Sequence, residues 1–335
     1  MVTFVRKRIW VRALGAVALF AWAAVTVRAC NIPVFRYALE RWRPDVSEFV
    51  VFHRGQLAAD TATQLDQFKE RLSSAGANAE LVLVDLAEEK KVVQPHRQLW
   101  DQLSLDKQLP QLPYVLVRLP HARGPLNAWH GSLEQALQSA LTESPVRSEL
   151  SKRLLSGDSI VWLMVRSPNE ARNERVRKLV TEQCQILSSK IQLPEGIGLP
   201  GSELFSEVPL FLKFSLLEIE ANDPREQFLL KVFENFQADA FRQGEPLLVP
   251  VFGRGRALEV IPADGVDESL LGDLTAFLCG ACSCQVKEQN PGFDLLLAAN
   301  WDQELFGENA PLPPPAKSVG EGDRQPVLLT IPPGR

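Results

Sequence analysis

Hydrophobic and polar positions along this chain form short apolar runs and amphipathic stretches in turn, which predict alternating strands and helices. In the first half the predicted strands are 49–52, 81–86, 113–119 and 127–130, and the predicted helices are 61–73, 132–141 and a polar stretch around 99–103. The second half repeats this order with strands 159–165, 211–219, 246–252 and 257–261, and helices 170–191, 224–241 and 268–277. We therefore predict an α/β protein in which one unit occurs twice.

The element order in the first half, β-α-β-α-β-β-α, resembles the thioredoxin fold over about residues 46–142. The match consists of Pro113 opening a strand, a glycine-containing turn, a second strand, Gly131 and a last helix. The resemblance implies two tandem thioredoxin-like domains, 46–145 and 146–278, each a mixed sheet with flanking helices. It also implies that Pro113 is cis and that Pro113 and its counterpart Pro246 line a binding surface.

One residue departs from the repeat, because Pro250 removes a backbone donor in a strand that the pattern places in the interior of a sheet. The chain after about residue 306 also differs, since clustered prolines and glycines predict a disordered or polyproline tail over 307–335.

Working thioredoxins place a Cys-x-x-Cys pair after the first strand, at a helix N-terminus that lowers a thiol pKa. The corresponding positions, 53–56 and 166–169, read His-Arg-Gly-Gln and Arg-Ser-Pro-Asn. Neither contains cysteine, so the resemblance implies no thiol–disulfide exchange at either position. His53 is a candidate for lining the pocket that this loop leaves, and a polar loop residue is the alternative. No hydrolase, phosphate-loop or dinucleotide motif occurs, which favours a protein that is not an enzyme.

The N-terminus carries the one long apolar run of the chain, 13–27, preceded by basic residues at positions 6–8 and 12. This pattern predicts that residues 1–29 are a secretion signal, with an uncleaved membrane anchor as the alternative. Cys30 directly follows the predicted cleavage point and is a candidate lipid acceptor. We therefore expect a protein exported to the bacterial cell envelope, attached to the membrane and facing the periplasm.

Residues 30–45 predict a short amphipathic helix next to the membrane. Its aromatic residues Phe35, Tyr37 and Trp42 alternate with arginines, a composition suited to a lipid headgroup layer. The alternative is a helix that packs on the first domain.

The charge of the exported part excludes one class of partner. Residues 1–29 hold five basic and no acidic side chains, which leaves 31 Lys and Arg against 41 Asp and Glu. Nucleic acid binding needs a basic surface, so we exclude nucleic acid as a partner.

Three cysteines follow the last predicted helix, Cys279, Cys282 and Cys284, within a segment over 279–306. In an exported protein they favour a structural disulfide. Three thiolates also suit a copper or zinc ion, and redox chemistry is a third alternative. If Cys30 is lipidated, Cys184 joins these three as an even set for pairing. No other cofactor is expected.

The turn Gly253-Arg254-Gly255-Arg256 is a second candidate site. Arg254 and Arg256 have the side chains that grip a carboxylate or phosphate, while glycines permit a close backbone approach. A solvent-exposed hairpin turn is the alternative.

Three strings are distinctive: ACNIPVFRYALERW at 29–42, PVFGRGRAL at 250–258 and CSCQVKEQNPG at 282–292. They resemble a family of exported, membrane-associated bacterial proteins, and this resemblance implies no activity. We therefore expect a non-catalytic binding or scaffold protein whose partners are the membrane and other envelope proteins or peptides. The alternative is a thiol-redox or metal-handling protein that uses the cysteine cluster.

Overall fold

A computed structural model describes residues 31–88, 92–105, 111–282 and 286–308. Within these residues the chain is α/β, with two mixed sheets and flanking helices, which confirms the predicted class. The predicted signal or anchor, Cys30, Cys284 and residues 309–335 of the predicted tail lie outside the described residues.

Helix α1 (Val34–Arg41) precedes the first sheet. The sheet has the order β2-β1-β3-β4 and is built from Ser47–His53 (β1), Ala79–Asp85 (β2), Tyr114–Leu119 (β3) and Leu126–Ser132 (β4). Strand β1 pairs in parallel with β2 and antiparallel with β3, and β4 pairs antiparallel with β3. The intervening helices are Ala59–Ser74 (α2), Gln94–Leu105 (α3) and Leu133–Gln138 (α4). This is the predicted element order.

The second sheet has the order β10-β8-β7-β5-β6, with β9 also on β7. Its strands are Ile160–Val165 (β5), Phe214–Ile219 (β6), Leu247–Phe252 (β7), Arg256–Ala257 (β8), Ile261–Pro262 (β9) and Phe293–Asp294 (β10). Strand β5 pairs in parallel with β6 and antiparallel with β7. The associated helices are Pro145–Leu155 (α5), Glu170–Lys190 (α6), Gln227–Phe236 (α7), Ala238–Arg242 (α8), Glu268–Cys279 (α9) and Trp301–Phe306 (α10).

Strand β7 is interior to the second sheet although it contains Pro250, and the pairing explains why. On one side Pro250 lies opposite Trp162 of β5. On the other side β7 pairs with β8 at one end and with β9 at the other, which leaves a break in between. The Pro250 carbonyl accepts from Leu258 N across this break. Because the N–H and C=O of a strand residue point to the same side, the missing donor falls where the ladder is interrupted.

Helix α1 packs on the second sheet's unit, against strand β7 and helix α9. Phe35, Tyr37 and Trp42 are all buried in a core that these elements share. The helix therefore contacts protein, on the second unit rather than the first, and its aromatic side chains are not available to a lipid headgroup layer. Among the described residues, no helix combines the length and apolar composition needed to cross a bilayer.

The chain after helix α9 returns to the body of the protein and contacts both sheets. Strand β10 pairs with β8 of the second sheet, and Ala298 forms a bridge with Ala77, just before β2 of the first sheet. Leu295 to Leu297 between these points are buried in a core that draws side chains from both sheets. The described part of the predicted extension over 279–306 thus completes the second sheet and links it to the first.

Candidate functional site

A cleft of about 990 Å³ lies between the first sheet and helix α7 of the second unit. Helix α3 and strands β3 and β4 form one wall, and α7 forms the other. Helix α7 packs directly against β4, the edge strand of the first sheet. The cleft therefore exists because the two units are in contact, and neither sheet forms it alone.

The first wall combines apolar side chains with polar ones, among which Tyr114 and His130 form a pair. Leu99 and Leu103 of α3 lie beside Leu116 of β3. The hydroxyl of Tyr114 and Nδ1 of His130 lie 2.7 Å apart in a hydrogen bond between neighbouring strands. Partial burial raises the pKa of Tyr114, so this phenol stays protonated at neutral pH.

The opposite wall follows from the sequence of helix α7. Its apolar residues, Phe228 among them, are buried against the body of the protein. Lys231 is exposed and lines the cleft, as does Arg225 just before the helix. Arg225 pairs with Asp223, and Lys231 pairs with Glu234.

The two acidic partners, Asp223 and Glu234, lie outside the cleft. Among the described residues that line it there is no Asp or Glu, so the charged groups that face its interior are both cationic. The arrangement suits a ligand that has an apolar body and negative charge.

The loop after strand β1, where a working thioredoxin carries its cysteines, is closed by hydrogen bonds. Gly55 N donates 2.8 Å to Asp85 Oδ1, and His53 Nδ1 lies 3.0 Å from Gly55 O. Backbone donors from Ala87 and Gly55 lower the pKa of Asp85. His53, the last residue of β1, is half-buried and is not among the residues that line the cleft.

The two predicted prolines hold equivalent positions in the two units. The Pro113 carbonyl accepts from Leu133 N at the start of α4. The Pro246 carbonyl accepts from Ala263 N at the start of the 3₁₀-helix Ala263–Gly265. The Leu112–Pro113 peptide bond is cis. Pro113 is half-buried, while Pro246 is buried, and neither lines the cleft.

Arg254 is buried rather than presented on an exposed turn. Its Nε donates 2.7 Å to Leu39 O, its Nη2 donates 3.1 Å to Glu40 O and its Nη1 donates 2.6 Å to Asp302. Burial lowers the pKa of Arg254, against the opposing effect of Asp302. The turn is covered because helix α1 and the C-terminal segment pack over it.

Arg256 is also buried, and it grips a carboxylate of the same chain. Nη1 donates 3.1 Å to Asp294, and its other nitrogens donate to carbonyls of residues 290–292. The expectation that these arginines hold carboxylates thus applies to Asp294 and Asp302. Their predicted binding of a partner stays a prediction, and their donors already have intramolecular acceptors.

Of the described cysteines, Cys279 and Cys282 are buried and Cys184 is half-buried. Cys184 and Cys279 carry free thiols, so the disulfide that the sequence favours does not involve either of them. Burial raises the pKa of both thiols to about 12. Cys282 N donates to Ile32 O, which ties the cluster to the N-terminal segment.

A metal site at the cysteine cluster is the other chemistry that the sequence suggests. Within the described residues no group of three His, Cys, Asp or Glu side chains is arranged for a metal ion. Because Cys284 is outside them, the copper or zinc site stays a prediction.

Sequence reasoning missed the cleft. His130 and Tyr114 were visible as strand residues, but their pairing depends on the β3–β4 register, in which Tyr114 lies opposite Ser132 and Leu116 opposite His130. The sequence of α7 is amphipathic, and Lys231 is one of its polar residues. Nothing in the sequence indicated that this helix packs against the edge of the first sheet.

Comparisons with known proteins give little further information. No protein-family model matches the chain, and no curated protein matches it. Among solved structures, it is similar to the first two thioredoxin domains of Eps1p from Naumovozyma dairenensis, with 12% identity and a TM-score of 0.19. The similarity covers 72% of this chain and 93% of that chain.

Proposed function

We propose that this chain is a non-catalytic binding protein of the bacterial envelope, built from two thioredoxin-like units and tethered to the membrane. The observation that carries the proposal is the cleft between β3, β4 and helix α7, which has a mixed apolar and polar lining, includes two cationic side chains and is formed by both units. Its occupant on this proposal is an extended segment of another envelope protein.

Two features support the assignment of the units as thioredoxin-like. The sheets share one order, in which a parallel pair is followed by antiparallel strands on the far side of the first strand: β2-β1-β3-β4 and β6-β5-β7-β8. The carbonyls of Pro113 and Pro246 also accept equivalent backbone hydrogen bonds.

A binding role is favoured over a redox role by the loop after strand β1. The loop holds His53 and Gly55 instead of cysteines, and Asp85 closes it. The thiols of Cys184 and Cys279 stay protonated at neutral pH because burial raises their pKa. Neither feature provides a nucleophile.

The chemistry of the cleft indicates the kind of segment that it binds. Leu99 and Leu103 are partly exposed and offer apolar contacts, and Arg225 and Lys231 offer cationic groups. We propose an extended peptide in which apolar residues alternate with acidic ones. Each of these cations already has an acidic partner outside the cleft, so a bound carboxylate would compete with Asp223 for Arg225 and with Glu234 for Lys231.

Tethering to the membrane rests on residues 1–29. Their basic residues and apolar run are the pattern of a signal or anchor. Lipidation at Cys30 is the alternative route to the same location.

Binding can be tested with a fluorescein-labelled peptide of alternating leucine and glutamate, measured by fluorescence anisotropy. We expect Arg225→Glu combined with Lys231→Glu to weaken binding by about tenfold or more, because both charges facing the peptide are reversed. The matched control is Lys178→Glu combined with Arg242→Glu, which reverses two exposed charges outside the cleft. Equal losses in both double variants, or no binding by the unaltered protein, would count against the cleft as the binding site.

A further inference from the structure

The long loop between helix α6 and strand β6, residues 191–213, carries apolar side chains that face solvent. Leu199 is 61% exposed, Phe205 is 38% exposed and Phe211 is 39% exposed. Single exposed apolar residues are common on protein surfaces, but several in one loop indicate a contact surface.

The tip of this loop is a closed turn that holds Leu199 in place. Gly198 N donates 2.8 Å to Ser202 O, and Ser202 N donates 2.8 Å to Leu199 O. Gly198 has φ +84°, a left-handed conformation that glycine adopts at low cost. Because the backbone is already fixed, the Leu199 side chain can be buried by a partner without much loss of backbone entropy.

The loop tip lies at the point where the N-terminal segment leaves the body of the protein. Asn31 is the first described residue, and its backbone N donates 3.0 Å to Ser202 Oγ. The 30 residues that precede it contain the basic cluster and the apolar run over 13–27. A bilayer that receives this segment would therefore lie next to the loop tip.

The residues around the tip have a composition suited to a lipid–water boundary. Phe205 is a partly exposed aromatic ring, and the Arg41 guanidinium lies 4.9 Å from its centre. The Arg41 side chain is itself buried and pairs with Glu40, so the aromatic ring is the group of this cation–ring pair that reaches the surface. Glu195 and Glu207 of the same loop are exposed, so the loop gains nothing from an anionic lipid surface. A zwitterionic bilayer fits this charge pattern best.

We propose that the loop tip, residues 196–202, together with Phe205, contacts the surface of the bilayer to which the N-terminal segment attaches the protein. The inference rests on the proposed membrane tether and adds a second, specific contact to it. Leu199 enters the region of the lipid chains, and Phe205 lies at the headgroup level. The contact fixes the orientation of the body relative to the membrane.

The experiment uses the full chain with vesicles of pure palmitoyl-oleoyl phosphatidylcholine. Leu199 is replaced by the photo-crosslinking residue p-benzoylphenylalanine, and vesicle-bound protein is isolated by flotation, irradiated and examined for lipid adducts by mass spectrometry. The matched control carries the same residue in place of Leu83, which is 51% exposed on the edge strand β2 of the first sheet. We expect clearly more lipid adduct at position 199 than at position 83, because only position 199 would lie within reach of the lipids.

Three outcomes separate the tether from the loop contact. Flotation with preferential crosslinking at position 199 supports both. Flotation with equal or absent crosslinking at the two positions overturns the loop contact and leaves the tether intact. Failure of the unaltered protein to float with the vesicles overturns the tether and the loop contact together.

Discussion

The Cys184 thiol lies in an apolar layer, near Trp162 of β5 and Phe214 of β6. Removing a thiolate from water is costly, so burial raises the pKa of Cys184 and of Cys279 to about 12. At pH 8 a thiol with that pKa is ionised in about one molecule in ten thousand. At the scale of single residues, burial therefore disfavours the reactive thiolate form of these two cysteines.

We expect Cys184 and Cys279 to resist alkylation by N-ethylmaleimide in the native protein and to react fully in denaturant, because the thiolate is the reactive form. Labelling at pH 8 followed by peptide mass spectrometry resolves each cysteine separately, and an unstructured cysteine peptide in the same reaction serves as the reference. Labelling of either residue at the rate of that peptide would contradict the raised pKa and reopen the redox alternative.

The arginine turn shows what a sequence can and cannot indicate about one residue. The sequence predicted that the two guanidinium groups bind a carboxylate or phosphate of a partner, and that stays a prediction; in the fold both groups are paired with carboxylates of the same chain. Which carboxylates they hold depends on segments far away in sequence, since Arg254 binds Asp302 and Arg256 binds Asp294. The burial of Arg254 and Arg256 follows from that packing and cannot be predicted from the residues next to them in sequence. The same limit applies to the hydrogen bond between strands β3 and β4 in the cleft.

At the scale of elements, helix α1 and the β7–β8 turn approach each other closely at Gly253. Gly253 in the turn has φ +58°, and a methyl group there would lie 2.7 Å from Cβ of Ala38 and 3.2 Å from its carbonyl carbon. The turn therefore requires glycine for two reasons, the backbone conformation and the approach of α1.

Comparing Gly253→Ala with Gly55→Ala separates the cost of the backbone conformation from the cost of the steric contact with α1. Gly55 has φ +68°, and a methyl group added there would meet no atom within 4 Å, so its substitution carries the conformational cost alone, about 1 kcal/mol. We expect Gly253→Ala to lower the free energy of unfolding by about 3 kcal/mol, since overpacking adds to that cost. Urea unfolding of both variants measures the difference. Equal losses would mean that α1 does not press on the turn.

Most helices and strands could be predicted from the local pattern of apolar and polar residues, and the exceptions have identifiable causes. The 3.6-residue period over 170–191 predicted α6 to within one residue of its observed range, Glu170–Lys190. Helix α5 was missed although its start signals were present, with Ser144 as N-cap and Pro145 in the first turn. The packing of α1 on the second unit was not predictable, because an amphipathic helix suits a lipid surface and a protein core equally.

At the scale of the whole molecule, the two units are joined by segments from both ends of the described chain. Asn78, just before β2, donates to the carbonyls of Asp45 and Leu295, and its side-chain oxygen accepts from Leu297 N. The repeat in the sequence predicted two similar units. It did not indicate that the C-terminal segment bridges them, because that segment has no counterpart in the first unit.

Asp294 is the centre of this bridge, and its substitution tests whether the units unfold together. Its carboxylate accepts from Asp45 N at 2.6 Å, from Arg256 and from Lys287. We expect Asp294→Ala to cost about 3–5 kcal/mol, because it leaves two buried cations without this partner. Hydrogen exchange should show the same loss of protection in β1 and in β5, while the exposed pair variant Arg242→Ala changes neither by more than about 0.5 kcal/mol. A loss confined to β5 would mean that the two units unfold independently.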